Sequence, residues 1–408
     1  MRVKVLVVGS GGREHALAWK LAQSPALEEL HAAPGNPGIA RLGRCHPVRA
    51  HDAEAILDLS REIGADLVVV GPEAPLVAGL ADVLRHAGVA VFGPGAAAAR
   101  IEGSKSFAKE VMLAAGVPAA AELAAPRAPC VVKADGLAAG KGVWVCRTQA
   151  EADAAWYRAR ALGDQVVVEE LLEGEEVSIF ALCDGVAALP LAPAQDFKRL
   201  RDGDGGPNTG GMGSYSPVPM LSAEDVDELV AAVHRPVLRE LADRGAPFQG
   251  LLYAGLMLTD DGPRVLEFNC RFGDPETQAI LPRLEGDLLG VLAAAAAGSL
   301  ADVELAASPE TAVTVVLASP GYPDEPETGI EIRSVEDTEA AGALVFHAGT
   351  ALRGEALVSA GGRVLDVTAT GASVAEARER VYEAVASIDF PGAQYRRDIA
   401  ARAVNVHA

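Results

Sequence analysis

The first hundred residues constrain the fold most. Val3–Val8, Leu67–Val70 and Val89–Phe92 are short apolar, β-branched runs, and each leads straight into a turn: Gly9, Gly71-Pro72 and Gly93-Pro94. Between them lie amphipathic stretches, His15–Ala22 and Ala53–Ile63. Strand, glycine turn and helix in repetition predict a doubly wound parallel sheet. Ligands of such sheets bind beyond the carboxyl ends of the strands, which makes the glycine turns candidate sites.

A chain of 408 residues is too long for one hydrophobic core. Three units are expected. Residues 1–101 form the parallel sheet, 102–308 alternate helices and strands, and 309–408 form a small α+β unit. In the middle unit a helix over Ser104–Ala115 stops at Gly116-Val117-Pro118. Strands follow at Val131–Lys133, Val143–Cys146, Val166–Glu170 and Val177–Cys183, with a helix around Glu151–Ala161. Gln195–Gly213 reads as a polar loop, and Ala223–Asp243 as a helix.

Composition narrows the function. No apolar run approaches the roughly 20 residues that span a bilayer. Met1–Val8 enters a strand pattern without a cleavable signal, so a cytoplasmic protein with no membrane partner is expected. The five cysteines are scattered and lack CxxC spacing, which predicts reduced packing residues and neither a disulfide frame nor a zinc site. A formal charge of -21 argues against a nucleic-acid surface. An anionic ligand must then be held by local cations and backbone amides against the global field.

The strongest chemical signal is Leu266-Glu267-Phe268-Asn269-Cys270-Arg271-Phe272-Gly273-Asp274-Pro275-Glu276-Thr277. On a strand, Glu267 and Asn269 share a face. A carboxylate and an amide oxygen side by side suit a hard divalent cation that takes its other ligands from phosphates and water. Arg271, next on that face, could hold a transferring phosphoryl group. Asp274 and Glu276 add carboxylates within reach of an amine. An edge strand with a solvated polar face is the alternative for a bare E-x-N.

Three further segments suggest phosphates and a nucleotide. Gly9-Ser10-Gly11-Gly12-Arg13-Glu14-His15 lacks the third glycine of a dinucleotide fingerprint, yet it leaves glycine amides and Arg13 at a helix start. It reads as a phosphosugar seat or as a plain tight turn. Lys133–Val143 is a small-residue loop with Lys133 rooted in a strand and Lys141 at its far side, without the GxxxxGK[ST] of a P-loop. Glu169-Glu170-Leu171-Leu172-Glu173-Gly174-Glu175-Glu176 ends a strand in acidic residues that could meet adenine and ribose.

Together these segments resemble the phosphoribosylamine–glycine ligases, ATP-grasp enzymes of purine synthesis. The likeness runs through Gly9–Lys20, Ala33–Gly38, Val70–Asp82, Glu102–Glu110, Lys133–Val143, Glu169–Ser178, Gly206–Pro217, Glu267–Gln278 and Phe346–Thr350. It implies a Rossmann-like N-terminal domain, an ATP-grasp domain with a lid over about 117–178, and a small C-terminal α+β domain. The reaction it implies joins glycine to 5-phosphoribosylamine through a glycyl phosphate, with ATP giving ADP and phosphate. Glu267 and Asn269 would hold Mg²⁺ or Mn²⁺. Lys105 and Lys133 would contact phosphates, and Glu169, Glu170, Leu172 and Glu176 would form the adenine and ribose hinge. Arg271, with Asp274 near the glycine amine and Lys133 on the phosphates, would carry the chemistry. Gly11, Gly12, Arg13, Glu14, Asn36 and Glu73 would line the phosphoribosylamine pocket, joined by Asp196, Thr209 and Gly211. His15 is a ligand contact or a satisfied structural histidine. The partners implied are small-molecule substrates alone, with a monomer as the simplest assembly.

Two departures stand out. The segments between Val117 and Val131 and between Val145 and Val166 are shorter than the family usually carries, which shortens the lid. Phe197 stands where many relatives have histidine, so no base is expected there. Rival readings are another ATP-grasp ligase or carboxylase, which glycine dependence would separate, and a nucleotide-binding regulatory protein without turnover.

Overall fold

The computed structural model describes residues 2–405 apart from 138–141, 164 and 302. Ala138, Ala139, Gly140 and Lys141 of the second loop therefore lie outside the described residues.

The opening run Val3–Gly9 becomes the central strand of a five-stranded parallel sheet, flanked by Leu27–Pro34 on one side and Leu67–Val70 on the other. Arg44–Cys45 and Val91–Phe92 complete the edges. Helix Gly12–Leu21 follows the first strand directly. Helix Ala53–Ile63 begins where Asp52 accepts the Ala55 amide and ends at Gly64 in the left-handed region (φ 65°). The chain builds toward one edge from Val3–Gly9 through Leu27–Pro34 to Arg44–Cys45 and then crosses to Leu67–Val70 on the other side, so Gly9–Gly12 and Gly71–Glu73 emerge side by side at the switch point of the sheet.

The second unit holds two sheets. Ala188–Pro190, Glu175–Asp184, Gln249–Thr259 and Gly262–Asn269 form a four-stranded antiparallel sheet. Val143–Cys146, Cys130–Ala134 and Val166–Glu170 form a three-stranded antiparallel sheet backed by helix Gln149–Leu162. The predicted helix over Ala223–Asp243 is continuous but takes a π-helical turn at Val230–His234.

The C-terminal sheet has an unforeseen membership. Its order is Gln195–Asp196, Gly213–Ser216, Thr311–Ala318, Arg363–Gly371 and Leu344–His347, all antiparallel. One of these strands, Gln195–Asp196, comes from the polar stretch read as a loop, and a second, Gly213–Ser216, begins at the last residue of that stretch. Gly213 explains part of this: its φ of 157° and a would-be Cβ only 2.6 Å from the Thr314 carbonyl show a backbone pressed against its neighbour. Helix Val374–Ser387, capped by the Ser373 hydroxyl, covers the sheet. Among the described residues no helix is long and apolar enough to cross a membrane, and all five cysteines are free.

Candidate active site

One cleft is walled by all three units. It collects Arg13, Glu73, Lys105, Lys133, Glu169, Glu170, Leu172, Glu176, Asp196, Thr209, Glu267, Asn269, Arg271 and Asp274. Gly11, Gly12, Glu14, Asn36 and Gly211 lie behind its wall and do not line it.

The first turn shows why. Glu14 folds back over its own helix start, where its carboxylate accepts the Gly11 amide at 2.6 Å and Arg13 Nε at 2.5 Å. A Cβ on Gly71 would come within 2.1 Å of that carboxylate, and one on Gly9 within 2.6 Å of the Glu14 side chain. Glycines are required there because Glu14 fills the space. Arg13 also donates to the Phe272 carbonyl (3.2 Å) and stands 4.0 Å from Glu73. Asn36 is fully engaged: its amide donates to the Ser10 and His347 carbonyls, and its oxygen accepts from the Ile39 amide. His15 accepts the His347 amide at 2.7 Å and lies edge-on to Phe346. Burial holds its pKa well below the usual range, so it is a neutral structural histidine.

The lysines come from separate elements of the second unit. Ser104 caps helix Lys105–Ala114, and Asp135 reaches across to accept from the Ser104 and Ser106 hydroxyls and the Lys105 amide. That clamp sets Lys105 beside the start of the small-residue loop, with Nζ on the Gly136 carbonyl at 2.9 Å. Lys133 bonds the Leu266 carbonyl at 2.8 Å and Glu169 at 2.6 Å. Glu169, almost fully buried, also takes Lys109 at 2.6 Å. Its carboxylate is therefore held by two lysines, while Glu170 turns away to accept the Ala121 amide. Lys198 sits between Glu176 and Glu267. Burial opposes its charge, but Glu176, Glu267 and Asp196 outweigh burial and raise its pKa.

At the end of strand Gly262–Asn269 the expected face forms. Lys198 chiefly, with Lys133 and Lys105, overrides burial and pulls the Glu267 carboxyl down to about 2. Glu267 is thus ionised at any physiological pH. Asn269 offers its oxygen with only a long 3.4 Å contact from Arg271. Arg271 is bracketed by Glu102 at 3.1 Å and Glu73 at 3.3 Å. No group of three or more His, Cys, Asp or Glu side chains converges as a metal cage among the described residues. Two protein oxygens with no crowding carboxylate fit a cation that draws its remaining ligands from phosphates and water.

Sequence reasoning missed four participants. Lys109 lies four residues after Lys105 on one helix face, a spacing that could have flagged it. Glu102 receives the Cys270 amide at 2.8 Å as well as Arg271. Burial raises its pKa against the pull of Arg271. Arg363 and Asp366, both from the C-terminal sheet, reach the Asp274 region. Arg363 pairs with Asp274 at 2.9 Å, while Gln278 donates one amide to both Asp274 and Asp366 at 2.8 Å each. Burial and the neighbouring Asp274 push Asp366 up to about 7, whereas Arg363 and Arg13 overcome burial and keep Asp274 low.

Comparison with known proteins covers nearly the whole chain. Residues 3–102 match the phosphoribosylglycinamide synthetase N domain, 103–277 its ATP-grasp (A) domain and 312–402 its C domain. A phosphoribosylamine–glycine ligase from Streptomyces coelicolor is 56% identical over 98% of this chain and 99% of its own length. One from Mesorhizobium japonicum is 51% identical over 98% and 99%. Among solved structures, the phosphoribosylamine–glycine ligase of Thermotoga maritima aligns with a TM-score of 0.85 at 35% identity, covering 98% of this chain and 100% of that one. The biotin carboxylase domain of Hydrogenobacter thermophilus 2-oxoglutarate carboxylase shares the fold alone, with a TM-score of 0.70 at 17% identity over 97% of this chain and 92% of that one.

Proposed function

Because the chain belongs to the phosphoribosylglycinamide synthetase family, we propose that it ligates glycine to 5-phosphoribosylamine, forming glycinamide ribonucleotide while ATP becomes ADP and phosphate. The observation that carries this reading is the meeting in one cleft of an ionised Glu267, Asn269 and Arg271 with strand-rooted Lys133 and with Lys105 at a helix start. That set suits phosphoryl transfer, which needs positioning and charge neutralisation more than a covalent nucleophile.

Glu169, Glu170, Leu172 and Glu176 form the hinge for adenine and ribose, and Lys105 and Lys133 lie on the phosphates. Glu267 and Asn269 hold a divalent cation, Mg²⁺ or Mn²⁺, which when bound neutralises phosphate charge. The glycine carboxylate attacks the γ-phosphate and forms glycyl phosphate with release of ADP. Arg271 steadies the charge on the transferred group, and its bracket of Glu73 and Glu102 keeps the guanidinium from collapsing onto Asn269. The amine of phosphoribosylamine then attacks the acyl carbon and expels phosphate. Arg13, Glu73, Asp196 and Thr209 face this acceptor. Gly11, Gly12, Glu14, Asn36 and Gly211 shape its pocket from behind. The domain limits at 101 and 308 and a cytoplasmic setting belong to the same reading, the latter supported by five free cysteines.

The test is ADP release with ATP, a divalent metal, glycine and phosphoribosylamine generated in situ, each omitted in turn. Strict dependence on both glycine and the ribosylamine is expected. ATP turnover indifferent to either one would overturn the assignment.

A further inference from the structure

Arg363 lies far in sequence from every motif assigned to the cleft, yet it lines the cleft beside Arg13, Asp274 and Thr209. Its head group is fixed from one side. Nη1 donates to the Gly210 carbonyl at 2.6 Å and the Asp274 carbonyl at 2.8 Å, and Nη2 meets Asp274 Oδ2 at 2.9 Å. Gly210 packs against the guanidinium, where an added Cβ would stand 3.1 Å from Cζ. Among the described residues nothing bonds Nε. Nε–H and the outer Nη2–H lie on the same edge of a guanidinium, a fork that matches two oxygens of a carboxylate or phosphate.

The state of Asp274 points the same way. Its Oδ2 is taken by Arg363 and its Oδ1 by Gln278 at 2.8 Å. A carboxylate with both oxygens engaged is poorly placed to be the sole acceptor for a substrate amine. It is well placed to orient an arginine. The side chain of Arg363 is 20% exposed, so its alignment costs little further ordering when a ligand arrives.

The geometry points to Arg363 as a substrate-binding residue: its unpaired fork takes an oxyanion of one of the two substrates being joined, with Asp274 and the Gly210 carbonyl as its positioning groups. This inference rests on the proposed ligation. Two oxyanions share the required chemistry, the phosphate monoester of phosphoribosylamine and the carboxylate of glycine.

The experiment uses the full chain with Arg363→Lys and Arg363→Met, measuring KM for ATP, glycine and phosphoribosylamine separately. Binding of glycinamide ribonucleotide, which keeps the phosphate but has lost the free carboxylate, is measured by calorimetry. Each charged hydrogen bond lost should weaken binding by about tenfold, so the Met variant should lose about 100-fold for one substrate. Lysine should recover only part, because a single ammonium cannot replace the fork. KM for ATP should stay within about twofold. A rise for phosphoribosylamine with weakened product binding identifies the phosphate. A rise for glycine with unchanged product binding identifies the carboxylate. Unchanged constants, or an equal loss for all three substrates with full recovery by lysine, overturn the inference. If the unaltered chain fails to ligate, the proposed function itself has failed, an outcome visible before any variant is compared.

Discussion

Replacing Asp366 by asparagine should change how stability depends on pH. Asp366 is 1% exposed, and burial, then the charge of Asp274, moves its carboxyl from the ordinary 3.8 to about 7. The sign follows from linkage. A carboxyl whose folded pKa lies above its unfolded value binds a proton more tightly when folded, so ionisation penalises the native state. The penalty is absent below the unfolded pKa, grows as pH rises from about 4 to about 7, and is complete above that. At about 1.36 kcal/mol per pKa unit, the 3.8-to-7 displacement caps it at roughly 4 kcal/mol. Between about pH 5 and about pH 8.5 it should grow by roughly 2.5 kcal/mol. Asparagine keeps an oxygen for Gln278 but cannot ionise. Its amide meets the position of Oδ1, which has no partner in the parent, at a fixed cost of order 1 kcal/mol. That cost is independent of pH and cancels when variant minus parent is compared at two pH values. Calorimetry is the suitable readout, because Trp19, Trp144 and Trp156 all lie outside the C-terminal sheet. The variant should gain on the parent by several degrees in Tm as pH rises. A difference that stays flat, or that favours the parent at high pH, refutes the argument that a buried, near-neutral carboxyl sits at this junction.

Two substitutions in the cleft separate binding from packing. Glu267→Ala should abolish turnover while leaving Tm close to the parent's, since its removal frees Lys198 to pair with Glu176 alone; near-normal rates at saturating metal would sink the metal assignment. Arg13→Ala should raise KM for phosphoribosylamine and spare that for ATP. It should also cost about 3 kcal/mol of stability, because it strips the partner from the buried Glu14. Equal loss for both substrates would show that Arg13 serves only to hold Glu14.

What could be read in advance follows the range of the interactions. The parallel sheet was legible because its strands are apolar runs closed by glycine, and Ala53–Ile63 because it carries a helical period with Asp52 before it and Gly64 after. The shared face of Glu267 and Asn269 followed from period two alone, with Arg271 placed just past the end of the strand. The stretch from Gln195 to Gly213 was not legible as strand, because its polar, glycine-rich residues have no alternation of their own, and the sheet that its two ends join is built on the distant Thr311–Ala318. The same holds for the site. Glu102 meets Cys270 across 168 residues, Arg363 meets Asp274 across 89, and Gln278 meets Asp366 across 88. No local pattern announces such partners. Charge in a sequence reads as capacity to bind a ligand, but in a cleft most charged groups first satisfy one another. Glu14, Glu169 and Asp274 all read as substrate contacts, and all three have their carboxylates held by protein donors. The groups with capacity left over, such as the outer edge of Arg363, are visible only after that internal pairing has been worked through.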